Sequence, residues 1–397
     1  MHAGHAPTQA SSPAHAAIEA VLAERLVRPL FQPIVDLSTR TVVGVEALAR
    51  GPAGTDLEFP DRLFAAAREA GRLGDLDMLC SERALECAVA APVSPPLVFV
   101  NAEPAALDQP LSPRLVELIM GGLPFREILE FTERALPALP GSLLRIAGQA
   151  QQWGNSLALD DVGVDPMSLA FLPVLEPEVI KLDMSLIRDP SAEQTRAVCA
   201  VVRAEAQRTG AMVVGEGIET EDDLVTAQAL GARWGQGWLF GRPGSIEQVS
   251  HRFDPVAASA LPAPRPGFHQ AGGTPFEVAT GGGPVTAGTA DAIAAALARL
   301  RDAAAADESA VVIASCPGPG IADTGAITSA LQELAGRVRS VILLDRPIPG
   351  ELATAVIGPG YGYAVCVRSG HPLELVTSRD LPTVAAVARA LLNRHGG

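Results

Sequence analysis

The sequence predicts an α/β protein built on a mostly parallel sheet, open or closed into a barrel, with a second and smaller α/β domain behind it. Three observations carry that expectation. From about residue 29 to about residue 250, short β-rich runs alternate with amphipathic helical runs, the rhythm of strand–helix–strand crossovers. DPVAASALPAPRPG, residues 254–267, then breaks that rhythm, and its Pro and Ala content reads as a linker. Beyond it, strand-like and helical runs resume.

The elements follow in order. The first residues, MHAGHAPTQASSPAHAAIEA, lack the apolar core of a leader, so 1–18 is expected to be a disordered tail. PLFQPIVDL and TVVGVEALARG are separated only by the short turn STR, which makes them an antiparallel pair. LVFVNAEP, REILEFTE, SLALDDVG, VIKLD, AMVVGEGIE and WGQGWLF are the next six strands. Between them lie helical stretches such as DLDMLCSERALECAVAA and SAEQTRAVCAVVRAEAQRTG. After the linker, 268–397 offers SAVVIAS, SVILLD, ATAVIGPGYGYAVCVRS and LELVTS as strands. An Ala-rich helix lies near 288–305 and a last helix is LPTVAAVARALLNRHG.

Composition narrows the function. The chain has 397 residues, 48% of them apolar, and a formal net charge of −15. An acidic surface excludes DNA or RNA as partner, because phosphate backbones are held by clustered Lys and Arg. No run reaches membrane-spanning length, and the expected location is the cytoplasm. The five cysteines show no CxxC spacing and read as packed, reduced thiols.

Polar residues gather at the carboxyl end of one apolar run after another. Glu46, Asn101, Glu130 (with Glu133), Asp160 with Asp161, Lys181 with Asp183, Glu216 with Glu219, and Gln236 occupy these places. In a β/α barrel such ends converge on one mouth, where active sites sit, although a single strand-end Asp often only caps the next helix. Glu46, Asn101, Glu130 and Asp160 are hard oxygen ligands suited to Mg2+ or Mn2+. Asp160 and Asp161 together suit two neighbouring ions, the arrangement that activates water for phosphoryl displacement.

With no histidine between residues 16 and 250, a His-ligated zinc and a Ser-His-Asp triad are excluded from the barrel. A metal-activated water is then the base, oriented by Lys181 and Glu216; the bland alternative for Lys181 is a salt bridge across the mouth. Arg50, just beyond Glu46, is placed to grip a phosphate by its fork-shaped face.

These residues stand in motifs that resemble the EAL family of cyclic di-GMP phosphodiesterases: FQPIVDL, EALAR, VN, LEFTE, LALDDVG, VIKLD, VVGEGIET and GQGWLFGRP, in family order over roughly 19–253. The resemblance implies a (β/α)8 TIM-like barrel with an antiparallel first strand pair, and hydrolysis of cyclic di-GMP to linear pGpG with two Mg2+ or Mn2+ ions. It implies metal ligation by Glu46, Asn101, Glu130, Asp160 and Asp161. Lys181 would contact the catalytic water, Glu216 would reach the metals through water, and Glu133 would steady the loop after the fifth strand. Arg50, Gln236, Gln32 and Asp183 would hold substrate, and a homodimer through the barrel is implied.

That loop reads DDVGVDPMS here where the family pattern is DDFGTGYSS. The departure keeps a second function open, a weak or inactive barrel that acts as a cyclic di-GMP receptor. A metal-dependent lyase of the enolase type also uses strand-end carboxylates, but Arg50 and the motif series favour phosphodiester chemistry. Residues 268–397 resemble the DICT sensory domain through TPFEV and LVTSRDLPTVAAVARALLNR, which implies regulation by a signal the sequence does not name. CPGPG at 316–320 lacks the Lys-Ser/Thr of a P-loop and reads as a turn.

Overall fold

The computed structural model describes residues 13–103, 109–132, 140–164, 168–270, 272–316, 321, 340–344 and 346–394. Eight strands close into a barrel in sequence order: β1 Arg28–Asp36, β2 Val42–Arg50, β3 Leu97–Asn101, β4 Arg126–Thr132, β5 Ser156–Val162, β6 Val179–Leu182, β7 Met212–Gly215 and β8 Trp234–Gln236. β1 runs antiparallel to both β2 and β8, and the remaining neighbours are parallel. The short turn between β1 and β2 leaves no room for a crossover helix, which is why this one strand is reversed.

The pleat divides the barrel interior into two layers. Phe99, Ile128, Ala158, Val179, Val214 and Trp234 form an apolar floor. Two residues further along each strand stand Asn101, Glu130, Asp160, Lys181, Glu216 and Gln236. A period of two keeps both sets on the inner face, so the floor and the polar layer are consecutive rungs of one stack.

Segment 254–267 does more than connect. Ala258 and Leu261 pack into the floor cluster, and Arg126 donates to the Pro262 carbonyl at 2.7 Å. Small apolar residues fit the narrow end of the barrel, and the prolines fix a chain that has no ladder to join. The expected N-terminal tail is also shorter than 1–18. A helix spans Pro13–Ala23, because Ile18 and Val21 are buried against Leu63, Ala67 and Leu76; residues 1–12 lie outside the described residues.

The second domain is a six-stranded sheet in the order β11-β10-β12-β13-β14-β9. Its strands are β9 Thr286–Ala287, β10 Val311–Ser315, β11 Ser340–Leu344, β12 Glu351–Gly358, β13 Tyr361–Arg368 and β14 Glu374–Ser378. β10 and β11 are parallel and the other pairs antiparallel. The single run ATAVIGPGYGYAVCVRS is a hairpin, because Pro359 and Gly360 turn the chain, with Gly360 at φ 78°.

Helix Ala290–Ala305 covers one face of this sheet. Helix Leu381–Leu392 covers the other and is sandwiched against the barrel helix Ser168–Leu175. It is apolar nearly all round, as a helix with neighbours on both sides must be. Among the described residues no helix is long and apolar enough to cross a membrane.

One outward-facing acid is set for a pH test. Glu127 on β4 is buried and accepts from Asn155 Nδ2 at 2.8 Å, and burial pushes its carboxyl up to about 7. The folded protein therefore keeps a proton that the unfolded chain has lost, and stability falls as pH rises from the ordinary carboxylate range through about 7. Glu127→Gln keeps the acceptor for Asn155 and removes that penalty. Denaturant titrations should show the variant more stable by about 3 kcal/mol near pH 8 and matched to the parent near pH 4.

Candidate active site at the barrel mouth

Lys181 is the centre of the mouth. Its Nζ lies 2.8 Å from Glu216 Oε1, 2.9 Å from Asp160 Oδ1, 3.0 Å from Glu130 Oε1 and 3.4 Å from Glu46 Oε2. The side chain is 1% exposed. Burial alone would lower its pKa, but the surrounding carboxylates outweigh it and hold the ammonium well above its usual range.

The carboxylates around it differ. At Glu46 burial works upward, yet the Lys181 charge and hydrogen bonds from Gln236 and Asn101 bring the pKa below normal. Burial and the charge of Glu46 push Glu130 well up, against the pull of Lys181. Burial also raises Glu216, to about 8, with Asp160 adding to the rise and Lys181 opposing it.

Glu46 is fixed by amides. Asn101 Nδ2 donates to its Oε1 at 3.0 Å and Gln236 Nε2 to its Oε2 at 2.7 Å. Gln236 Nε2 also lies 3.1 Å from Gln32 Oε1, and Gln32 donates to the Gly241 carbonyl at 3.3 Å. Gln32 faces Glu46 directly across the β1–β2 ladder. The chain after Gln236 is held by a close approach that only glycine allows: a Cβ on Gly237 would stand 2.1 Å from the Ile218 carbonyl oxygen.

Consecutive strand residues normally face opposite ways, yet both aspartates serve this mouth. The β5–β6 register slips between Leu159 and Val162, and Asp161 adopts a left-handed φ of 58°. The bulge places carboxylate oxygens of Asp160, Asp161 and Glu216 within 4.8 Å of one another. A left-handed non-glycine residue costs about 1 kcal/mol or more. Asp161→Gly should therefore raise thermal stability slightly while lowering metal-dependent turnover at least about tenfold; melts and single-turnover assays on one preparation report both.

The donor set suits a cation. Among the described residues, both oxygens of Glu130 and Oδ1 of Asp160 are buried without a well-directed hydrogen-bond donor, despite the closeness of the Lys181 ammonium. One ammonium is shared among four carboxylates. All-oxygen ligands crowded so closely that Glu130 and Glu216 are pushed above the ordinary carboxylate range fit hard divalent cations, and the residues able to hold them are Glu46, Asn101, Glu130, Asp160 and Asp161.

Asp183 caps the short helix Met184–Arg188 with one carboxylate oxygen, accepting from Ser185 N at 2.9 Å. Glu219 pairs with Arg188 at 3.3 Å, away from Lys181. Glu133 lies outside the described residues.

Arg50 is at the rim, donating only to the Ala49 carbonyl at 2.8 Å and making no ion pair among the described residues. Sequence reading missed its partner Arg28, which faces Arg50 across the ladder. The turn-defined register of the first hairpin would have found it. Two facing cations disfavour each other, and an anion between them removes the conflict. A cavity of about 450 Å3 beside Asn101 is also lined by Phe64, Arg68, Asp77 and Thr132. No sequence pattern marked these, since helical apolar spacing looks alike in cores and pockets.

Fold and mouth define a class: a β/α barrel with one reversed strand and an all-oxygen, cation-seeking centre. Residues 15–243 match the family model described as EAL domain, and the chain belongs to that family. A relative in Sinorhizobium fredii, the uncharacterized protein y4lL, is 32% identical over 229 residues, 55% of this chain and 27% of that one. Cyclic di-GMP phosphodiesterase NbdA of Pseudomonas aeruginosa is 32% identical over 241 residues, 56% of this chain and 30% of NbdA. The chain spans between 27% and 42% of the length of the first curated relatives it matches. The solved PaMucR phosphodiesterase, a c-di-GMP complex, shares the fold with a TM-score of 0.52 at 23% identity, covering 59% of this chain and 99% of that one.

Proposed function

We propose that the barrel hydrolyses cyclic di-GMP to linear pGpG with Mg2+ or Mn2+ as cofactor. The observation that carries this reading is the ring of Glu46, Glu130, Asp160 and Glu216 sharing one buried ammonium, with Glu130 Oε2 lacking any partner among the described residues. Family membership supplies the reaction class, and relatives such as NbdA bear that activity in their names.

Glu46, Asn101, Glu130, Asp160 and Asp161 would hold two divalent cations. Such a pair, when bound, supplies Lewis acidity and an activated water for in-line displacement at phosphorus. Lys181 Nζ donates a hydrogen bond toward the attacking water and restrains the carboxylates that surround it. Asn101 and Gln236, the latter held by Gln32, fix Glu46 against rotation, so the ligand geometry is set before substrate arrives. Arg50, with Arg28 opposite, meets the phosphates at the rim.

The test is a nucleotide assay on the purified chain. pGpG should appear from cyclic di-GMP with Mn2+ or Mg2+ and be absent in EDTA. Tight cyclic di-GMP binding with no product over hours would instead make the barrel a receptor.

A further inference from the structure

We propose that the C-terminal domain binds a small phosphate ester in a pocket formed by Arg299, Tyr363, Thr377, Ser378 and Arg379. The pocket holds about 440 Å3 and opens on the face of the sheet covered by helix Ala290–Ala305. That helix carries Arg299. Tyr363 on β13 and Thr377 on β14 share this sheet face, because Val365, two residues beyond Tyr363, is the register partner of Thr377.

Two independent features point to an anion. Tyr363 lines the pocket; it is 4% exposed, and its buried hydroxyl has no hydrogen-bond partner among the described residues. A buried hydroxyl left unpaired is unfavourable in the free protein, and a ligand oxygen would satisfy it. Separately, Arg299 and Arg379 make no ion pair among the described residues; Arg379 only approaches the Tyr363 ring, at 5.7 Å from its centroid. Asp380, next in the chain, is occupied as a helix cap, accepting from Thr383 N at 3.1 Å.

In a chain of net charge −15, anions are repelled on average, so two unpaired guanidinia beside hydroxyl donors select for one. Guanidinium forks match the oxygens of phosphate. The depression is open on one side and roomier than a bare phosphate, which favours an ester.

The experiment uses the full chain in EDTA, so that no metal in the barrel recruits phosphate, at physiological chloride. Calorimetry with inorganic phosphate and with AMP should give saturable binding, tighter for AMP. Arg299→Gln and Arg379→Gln should each weaken it about tenfold or more. Tyr363→Phe should weaken binding severalfold while leaving the melting temperature of the free protein unchanged or higher, a divergence that a purely structural tyrosine would not show. Absence of saturable binding, or equal binding by the Arg299→Gln/Arg379→Gln double variant, overturns the site. Phosphate binding with no gain for AMP overturns the ester.

Discussion

Lys181→Met should destabilise the metal-free protein by about 3–5 kcal/mol and abolish most turnover. The side chain is 1% exposed and contacts Glu46, Glu130, Asp160 and Glu216 within 3.4 Å. Removing one partner of a buried ionic cluster leaves the others without compensation, and that loss has the stated size. Methionine fills the volume, so the effect is electrostatic rather than a cavity.

Divalent metal replaces the missing charge. Thermal melts in EDTA should show a large drop for the variant, and saturating Mn2+ should recover more of its melting temperature than it adds to the parent, by mass action on the folded state. Turnover should remain about a hundredfold or more below the parent even with Mn2+, because no ammonium is left to orient the water. Equal melting temperatures in EDTA would mean that the ammonium does not hold the ring together.

The polar ring was legible because two periodicities coincide in it. Apolar strand cores of period two end in one charged or amide residue, as in VIKLD and LVFVN, and barrel closure brings such ends together. Sequence could not show how Asp160 and Asp161 reach one mouth, since a strand turns them apart; the register slip and the left-handed φ at Asp161 decide it. Nor could it separate Asp183 from the ring. A strand-end Asp before a helical run suits capping and ligation equally, and the Ser185 amide shows only that one Asp183 oxygen caps. Composition suggested a linker at 254–267 but held no trace of Ala258 and Leu261 entering the floor, because contacts between distant segments leave no local pattern.

The other large effect lies where the two domains meet. Helix Ser168–Leu175 begins a few residues after the Asp160–Asp161 turn, and its last three carbonyls are held from beyond the barrel. Arg389 Nη1 donates to Pro173 O at 3.1 Å and Val174 O at 3.2 Å, His269 Nε2 to Leu175 O at 2.7 Å, and Arg265 Nη2 to Glu176 O at 2.9 Å. These are the acceptors every helix leaves unpaired, and cations there also oppose the negative end of the helix dipole. Arg389 is buried, its guanidinium 4.1 Å from the centre of the Phe268 ring, and burial lowers its pKa to about 10.

Arg389→Ala leaves two buried carbonyls without donors and a void beside Phe268, a loss of about 3–4 kcal/mol. Arg389→Lys keeps the charge but not the fork and should recover only part of it. Because the same helix follows Asp160 and Asp161 closely in sequence, Arg389→Ala should also raise the Mn2+ concentration needed for half-maximal turnover, with Lys intermediate. A lowered melting temperature with unchanged Mn2+ dependence would reduce the seam to packing. A shift in both would show that the C-terminal domain reaches the metal ligands through this one helix.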